Sequence, residues 1–194
     1  MLAEIIAFIK NPLFQEDPNK ETKYRIRFLV ICTLFGITIS IGLSLIAGLF
    51  ESMFSLELGK HAMDELFEKY SAIGIFFFAV IVAPLLEELL FRGPIVWFKN
   101  SKYFKTIFYL IALFFGYIHI TNFEISTTVL LLSPILVAPQ ISLGLLLGMI
   151  RIKFGLLWSM AMHAFYNFIL ASPLILIKLL DIPLEWKKPN SKNF

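Results

Sequence analysis

Charge is scarce in this 194-residue chain: Asp, Glu, Lys and Arg make up 16% of it, against 58% apolar residues. Soluble domains carry roughly 25% charged and 45–50% apolar residues. Together with a mean hydropathy of +0.80, this excludes both a water-soluble domain and a disordered chain. A formal charge of +3 with sparse Lys and Arg offers no stripe to track phosphates, so no nucleic-acid partner is expected. Cysteine is nearly absent, and the lone Cys32 inside an apolar run excludes an internal disulfide. No G-x-S-x-G elbow and no H-E-x-x-H pair occurs, so neither the serine-hydrolase nor the zincin pattern applies. Internal repeats and low-complexity tracts are missing too. The opening Met1–Phe14 does not read as a secretory signal, because Glu4 and Lys10 interrupt it and no small-residue cleavage site follows.

What is present is a series of long apolar runs. At about 20 residues per crossing, the chain has room for at most about six spans. Phe28 to Phe50 carries no charge. An acidic stretch, Glu51 to Tyr70, follows, with Lys60 and Lys69 its only lysines. The run Ser71 to Phe98 contains Glu87, Glu88 and Arg92. Thr106 to Phe123 carries His119, Ile125 to Ile150 contains Pro134 and Pro139, and Phe154 to Ile177 contains His163 and Asn167. The two prolines should kink or break the fourth run. Leu2, Ile5, Ile6, Phe8, Ile9, Leu13 and Phe14 suggest a short helix lying in the membrane interface. The expected fold is an all-α polytopic membrane helix bundle, with about five transmembrane helices and an N-terminal interfacial helix.

The basic residues orient this map. Lys10 to Arg27, Arg92 to Lys105, and Arg151 with Lys153 fall on one side if the chain crosses five times. The positive-inside rule makes that side cytoplasmic, together with the N-terminus, in a multi-pass cell-membrane protein. Lys178, Lys187, Lys188 and Lys192 in the tail do not follow the rule.

A charge at the bilayer centre costs about 2.5–3.5 kcal/mol on insertion scales, so Glu87, Glu88 and Arg92 require a reason. On a helix Glu88 and Arg92 are i and i+4 with the acid first, the favourable order for a pair. Glu87 points about 100° away and lacks that partner. Alternatively the span ends near Leu86 and the three charges lie among headgroups, since Gly93-Pro94 can end a helix. Phe115 with His119, and His163 with Asn167, are further i, i+4 pairs, each on one helix face. Counted from the basic flanks at 1.5 Å per residue, Glu87, His119, His163 and Asn167 lie about 18, 21, 15 and 21 Å deep. Four polar side chains from three helices thus share one level. His61, in the acidic loop, reads as a surface residue.

A desolvated carboxylate can act as a general base near neutrality, and a neighbouring His can orient a water. A second His and an Asn one turn apart can donate to an oxyanion. That set describes hydrolysis of an acyl bond by activated water. Zinc held by Glu87, His119 and His163 is the chemical alternative. A proton or ion pathway would also use such residues, but a transporter should show two symmetric halves.

At these positions the sequence resembles the type II CAAX prenyl protease, or CPBP (Abi), family of intramembrane proteases. The E-E-x-x-x-R motif is Glu87-Glu88-Leu89-Leu90-Phe91-Arg92, followed by Gly93; F-x-x-x-H is Phe115 to His119; H-x-x-x-N is His163 to Asn167. Gly144, Gly148 and Gly155-Leu156-Leu157-Trp158 also match the approach to the third motif. The resemblance covers Ser71 to Leu170. It implies an intramembrane endopeptidase in which Glu87 activates water, His119 holds it, and His163 and Asn167 form the oxyanion site. Glu88, Arg92 and Phe115 support them. It implies a peptide or protein substrate, lipidated or not, in the lipid bilayer, and no cofactor, with zinc the alternative. A non-catalytic role in the same family, as a bacteriocin-immunity factor or scaffold, is the competing reading. The chain then divides into a polar, interfacial segment (1–27), a span with its acidic loop (28–70), the catalytic membrane core (71–177) and a polar tail (178–194). Gly144 and Gly148 are read as close-packing positions between helices.

Overall fold

The computed structural model describes residues 1–56, 58–59 and 61–182. Lys60 of the acidic stretch and the tail residues Lys187, Lys188 and Lys192 lie outside the described residues. The helices are α1 (Leu2–Lys10), α2 (Thr22–Met53), α3 (Ala62–Lys69), α4 (Ala72–Ile75), α5 (Ala83–Phe91), α6 (Phe104–Ile118), α7 (Thr127–Leu136), α8 (Ala138–Phe154) and α9 (Leu156–Leu179). A π-helical segment, Phe76–Val82, joins α4 to α5; 3-10 turns, Gly93–Phe98 and His119–Asn122, follow α5 and α6. These make five helical stretches long and apolar enough to cross a membrane. Among the described residues the only β pairing is one antiparallel bridge, His61 with Phe123.

The crossings differ from the apolar runs at their edges. The first helix starts at Thr22 rather than Phe28, so Lys23, Arg25 and Arg27 ride on its first turns. Their long stems can follow the helix while the charges reach the headgroups. The fourth crossing is two helices joined at Val137, with Pro134 inside α7 and Pro139 in the first turn of α8. The second run continues past Arg92 because Gly93-Pro94 converts the helix to 3-10 geometry instead of ending it. A headgroup position for Glu88 and Arg92 does not hold: both are fully buried inside the bundle.

The hub is the fourth crossing. Of its most apolar window 44% is buried, against 22–28% for the other four crossings. Leu143, Leu146, Leu147 and Ile150 of α8 pack with Phe28, Leu29 and Cys32 of α2, Phe115 of α6 and Tyr166 of α9. Small residues permit this approach. A Cβ on Gly116 would meet Ile141 Cγ1 at 2.2 Å and the Ile141 backbone nitrogen at 3.0 Å. On Gly144 it would meet Phe115 at 3.1 Å, and on Gly148 it would meet Phe108 at 2.7 Å. α8 hands over to α9 at Gly155, whose φ of +103° an L side chain rarely adopts.

The loops gather at two ends. At one end Lys153 pairs with Glu4 at 2.5 Å and Asp17 at 2.8 Å, while Lys105 donates to Asn11 at 3.2 Å. Lys153, together with Asn19 and Tyr24, holds the Asp17 carboxyl below its usual range, overcoming the upward push of burial. Helix α1 forms as expected but is docked, not simply laid on a surface. Its Ile5 is fully buried and its Phe8 packs edge-on against Phe108. At the other end His61 meets Phe123, and Lys178 donates to the Phe67 carbonyl.

Candidate active site

Pro84 sets the site's local geometry. The Ala83 N–H bonds five residues back, to the Phe78 carbonyl. The next bond in that pattern would use the N–H of residue 84, and proline has none. The Ala79 carbonyl is left over, and Asn167 Nδ2 on α9 donates to it at 2.9 Å. Residues 83–91 then return to an α-helix, which carries Glu87 and Glu88 on different faces.

Glu88 faces inward. Its carboxylate lies 3.4 Å from Arg92 Nη1 and 3.0 Å from His163 Nδ1, and accepts the Ser159 hydroxyl. Arg92 has no exposed surface; it donates to the Gly144 carbonyl at 3.3 Å and sits 3.9 Å over the Phe115 ring. Its own carbonyl accepts from Arg151 Nε at 3.0 Å. The same Phe115 ring lies edge-on to His119 and His163, with centroids 4.9 and 5.8 Å away. Phe115 is therefore a shared wall against which a cation and two imidazoles are packed.

Glu87 faces the other way. Its Oε2 stands 3.8 Å from Nε2 of His119 and 3.8 Å from Nε2 of His163, and has no hydrogen-bond partner among the described residues. The ring tautomers follow from the partners on the far side. His119 Nδ1 is 2.8 Å from the Phe115 carbonyl, which can only accept, so Nδ1 carries the hydrogen. His163 Nδ1 faces the Glu88 carboxylate in the same sense. In their neutral forms both rings present an Nε2 lone pair towards Glu87. Three acceptor atoms thus face a common point, an arrangement suited to a group that brings O–H donors, such as water.

The zinc alternative can be tested on the same distances. Four ligands at about 2.0–2.1 Å in a tetrahedron stand about 3.4 Å apart. Both measured separations are longer, and among the described residues no group of three His, Cys, Asp or Glu side chains is spaced to hold a metal ion. Glu87 thus stands further from each imidazole than the edge of a tetrahedral zinc site.

Glu87, His119, His163 and Asn167 line one cavity of about 400 Å³ that is mostly apolar, with Leu143 and Leu174 among its walls. A second recess of about 240 Å³ reaches Glu87 and His119 from the side of Leu86, Leu90 and Ile118. The structure thus brings together the four residues singled out for chemistry, and sets Glu88, Arg92 and Phe115 behind them. Three contributors were not anticipated. Ser159 lies one helical turn before His163, and that spacing was the available signal. Gln140 lines the cavity from α8 with a buried Oε1 that has no partner among the described residues. His61, expected at the surface, is half-buried and lines the cavity, with Phe123 edge-on against its ring.

A family model described as Rce1-like, type II CAAX prenyl endopeptidase Rce1-like, matches residues 69–169, just over half of the chain. No curated protein and no solved structure matches.

Proposed function

From membership of the Rce1-like type II CAAX prenyl endopeptidase family, to which this chain belongs, we propose that it is an intramembrane endopeptidase of the glutamate type. The observation that carries this reading is the unpartnered Glu87 Oε2 facing two imidazole Nε2 atoms at the wall of a cavity. The family is one of peptidases.

A water held between Glu87 and His119 gives a proton to Glu87 as its oxygen attacks the scissile carbonyl. Negative charge develops on the carbonyl oxygen. Glu88 holds His163 by Nδ1, which turns Nε2 towards the cavity, and with a proton on Nε2 the ring would donate to that oxygen. Asn167 spends one amide hydrogen on Ala79 and has a second for the same oxygen. Glu87 then returns its proton to the departing amine as the C–N bond breaks. No metal enters this sequence. The substrate is a peptide segment presented within the bilayer, lipidated or not. The clustering of Lys153, Lys105 and the N-terminal segment at one end supports a cytoplasmic N-terminus and basic loops.

Protein reconstituted in liposomes should cleave members of an apolar peptide library, with and without EDTA. Glu87→Gln and His119→Ala should each abolish cleavage. Full activity in both variants would overturn the assignment, and loss of cleavage in EDTA restored by zinc would overturn the metal-free mechanism.

A further inference from the structure

The cavity is built from two sources. Glu87, His119, His163 and Asn167 belong to the stretch that matches the family, residues 69–169. Ser40, Ser44, His61, Met63, Leu66 and Leu174 lie outside it and line the same space. The chemistry and the surroundings that choose what reaches it are therefore separable.

His61 stands out in that second group. As the N-cap of α3 it accepts the Met63 N–H at Nδ1, 3.2 Å away, while its own N–H donates to Asp64 Oδ2 at 3.3 Å. An Nδ1 that accepts carries no hydrogen, so the neutral ring has its N–H at Nε2. Burial lowers the pKa of His61, with Asp64 opposing, which favours the neutral ring. Phe123 packs edge-on against it at 4.9 Å, which fixes the ring plane. Among the described residues Nε2 has no acceptor. The cavity also holds the converse: Gln140 Oε1, buried and, among the described residues, without a donor. A peptide unit has one N–H and one C=O; of the polar atoms lining this cavity, Gln140 Oε1 can accept the first and the His61 Nε2–H can donate to the second. Apolar pockets typically orient a ligand with a few polar groups of this kind.

We propose that His61 and Gln140 are substrate-binding residues: the His61 Nε2–H donates to a backbone carbonyl, and Gln140 Oε1 accepts a backbone N–H, of the peptide lying in the cavity. The assignment rests on the endopeptidase reading for what the peptide is doing there, but concerns binding alone. Met63, Leu66 and Leu174 would then flank the side chains of the residues so held, giving a preference for apolar peptides.

The test separates binding from cleavage and from folding. Asn and Asp are strong N-caps, so His61→Asn keeps the start of α3 while removing the Nε2–H. The probe is a pool of fluorescein-labelled, C-terminally amidated apolar nonapeptides, read by anisotropy with the Glu87→Gln protein in nanodiscs, empty nanodiscs subtracted. Adding His61→Asn or Gln140→Leu should weaken binding about tenfold each, the loss of one hydrogen bond, with the melting temperature kept in His61→Asn. Unchanged affinity in His61→Asn would overturn the proposal and leave His61 as a helix cap. So would a melting temperature that falls as far in His61→Asn as in His61→Ala, or a pool that does not bind the Glu87→Gln protein. Binding of the pool that wild type never cleaves would instead count against the endopeptidase reading, with the peptide site intact.

Discussion

His163 Nδ1 lies 3.0 Å from Oε1 of Glu88, and that bond orients a ring whose other nitrogen faces Glu87. Two consecutive glutamates therefore face the same imidazole from opposite sides, one bonded to it and one not. One is enclosed with Arg92 and Ser159; the other borders the cavity. Their replacement should have different consequences.

Glu87→Gln should lower cleavage by about 10²–10⁴ and leave stability nearly unchanged, since among the described residues Glu87 Oε2 has no direct hydrogen bond to lose. Glu88→Gln leaves the enclosed Arg92 uncompensated and should destabilise by about 3–5 kcal/mol. Cleavage rates and thermal unfolding in detergent, measured on both variants, check the contrast. Equal stability losses would contradict the division of roles.

Asn167→Ala removes the donor that satisfies the Ala79 carbonyl and should cost about 1 kcal/mol of stability. It also removes an oxyanion donor, with a loss of about 10²–10³ in kcat. Asn167→Asp, which sets a carboxylate against that carbonyl, should unfold at a lower temperature than Asn167→Ala.

Gly116→Ala places a Cβ 2.2 Å from Ile141 Cγ1 and 3.0 Å from backbone, where little can yield. A loss of about 1–3 kcal/mol is expected, with reduced activity because His119 lies one turn on. Gly42→Ala is the control. Nothing lies within 4 Å of its Cβ, and the helix should gain slightly. Thermal unfolding of the pair decides the point.

Asp17 gives a pH dependence outside the membrane. Its folded pKa is lowered, so between that value and the unfolded value of about 3.9 the unfolded chain binds more protons. The contribution is fully present above the unfolded value and is lost as pH falls through the folded one. Melting temperatures of wild type should therefore drop more between pH 6 and pH 3 than those of Asp17→Asn, which has no such carboxylate to protonate.

The division between Glu87 and Glu88 was legible because it needs only the 100° step of a helix and the Glu88–Arg92 spacing. The common depth of Glu87, His119 and His163 was legible because residues counted along a helix are a length. The π segment was less so. Pro84 announces a missing N–H, but which carbonyl is orphaned depends on whether the bonds run four or five residues back. His61 was illegible for another reason: a polar loop has no periodicity, and the place of the ring depends on contacts with Phe123 and Asp64. Likewise α1 shows an apolar face in sequence, but only its partners reveal whether lipid or the bundle covers Ile5.

The solitary Cys32 has no exposed surface and is wedged where α2 meets α8. A thiol-reactive dye should therefore find nothing to label while the bundle is intact, and gain its one target when that seam parts. The chain carries its own reporter of disassembly, at the joint on which the hub depends. Spectroscopic labels placed at new cysteines near the cavity would report without interference, since the native thiol stays silent in the folded protein.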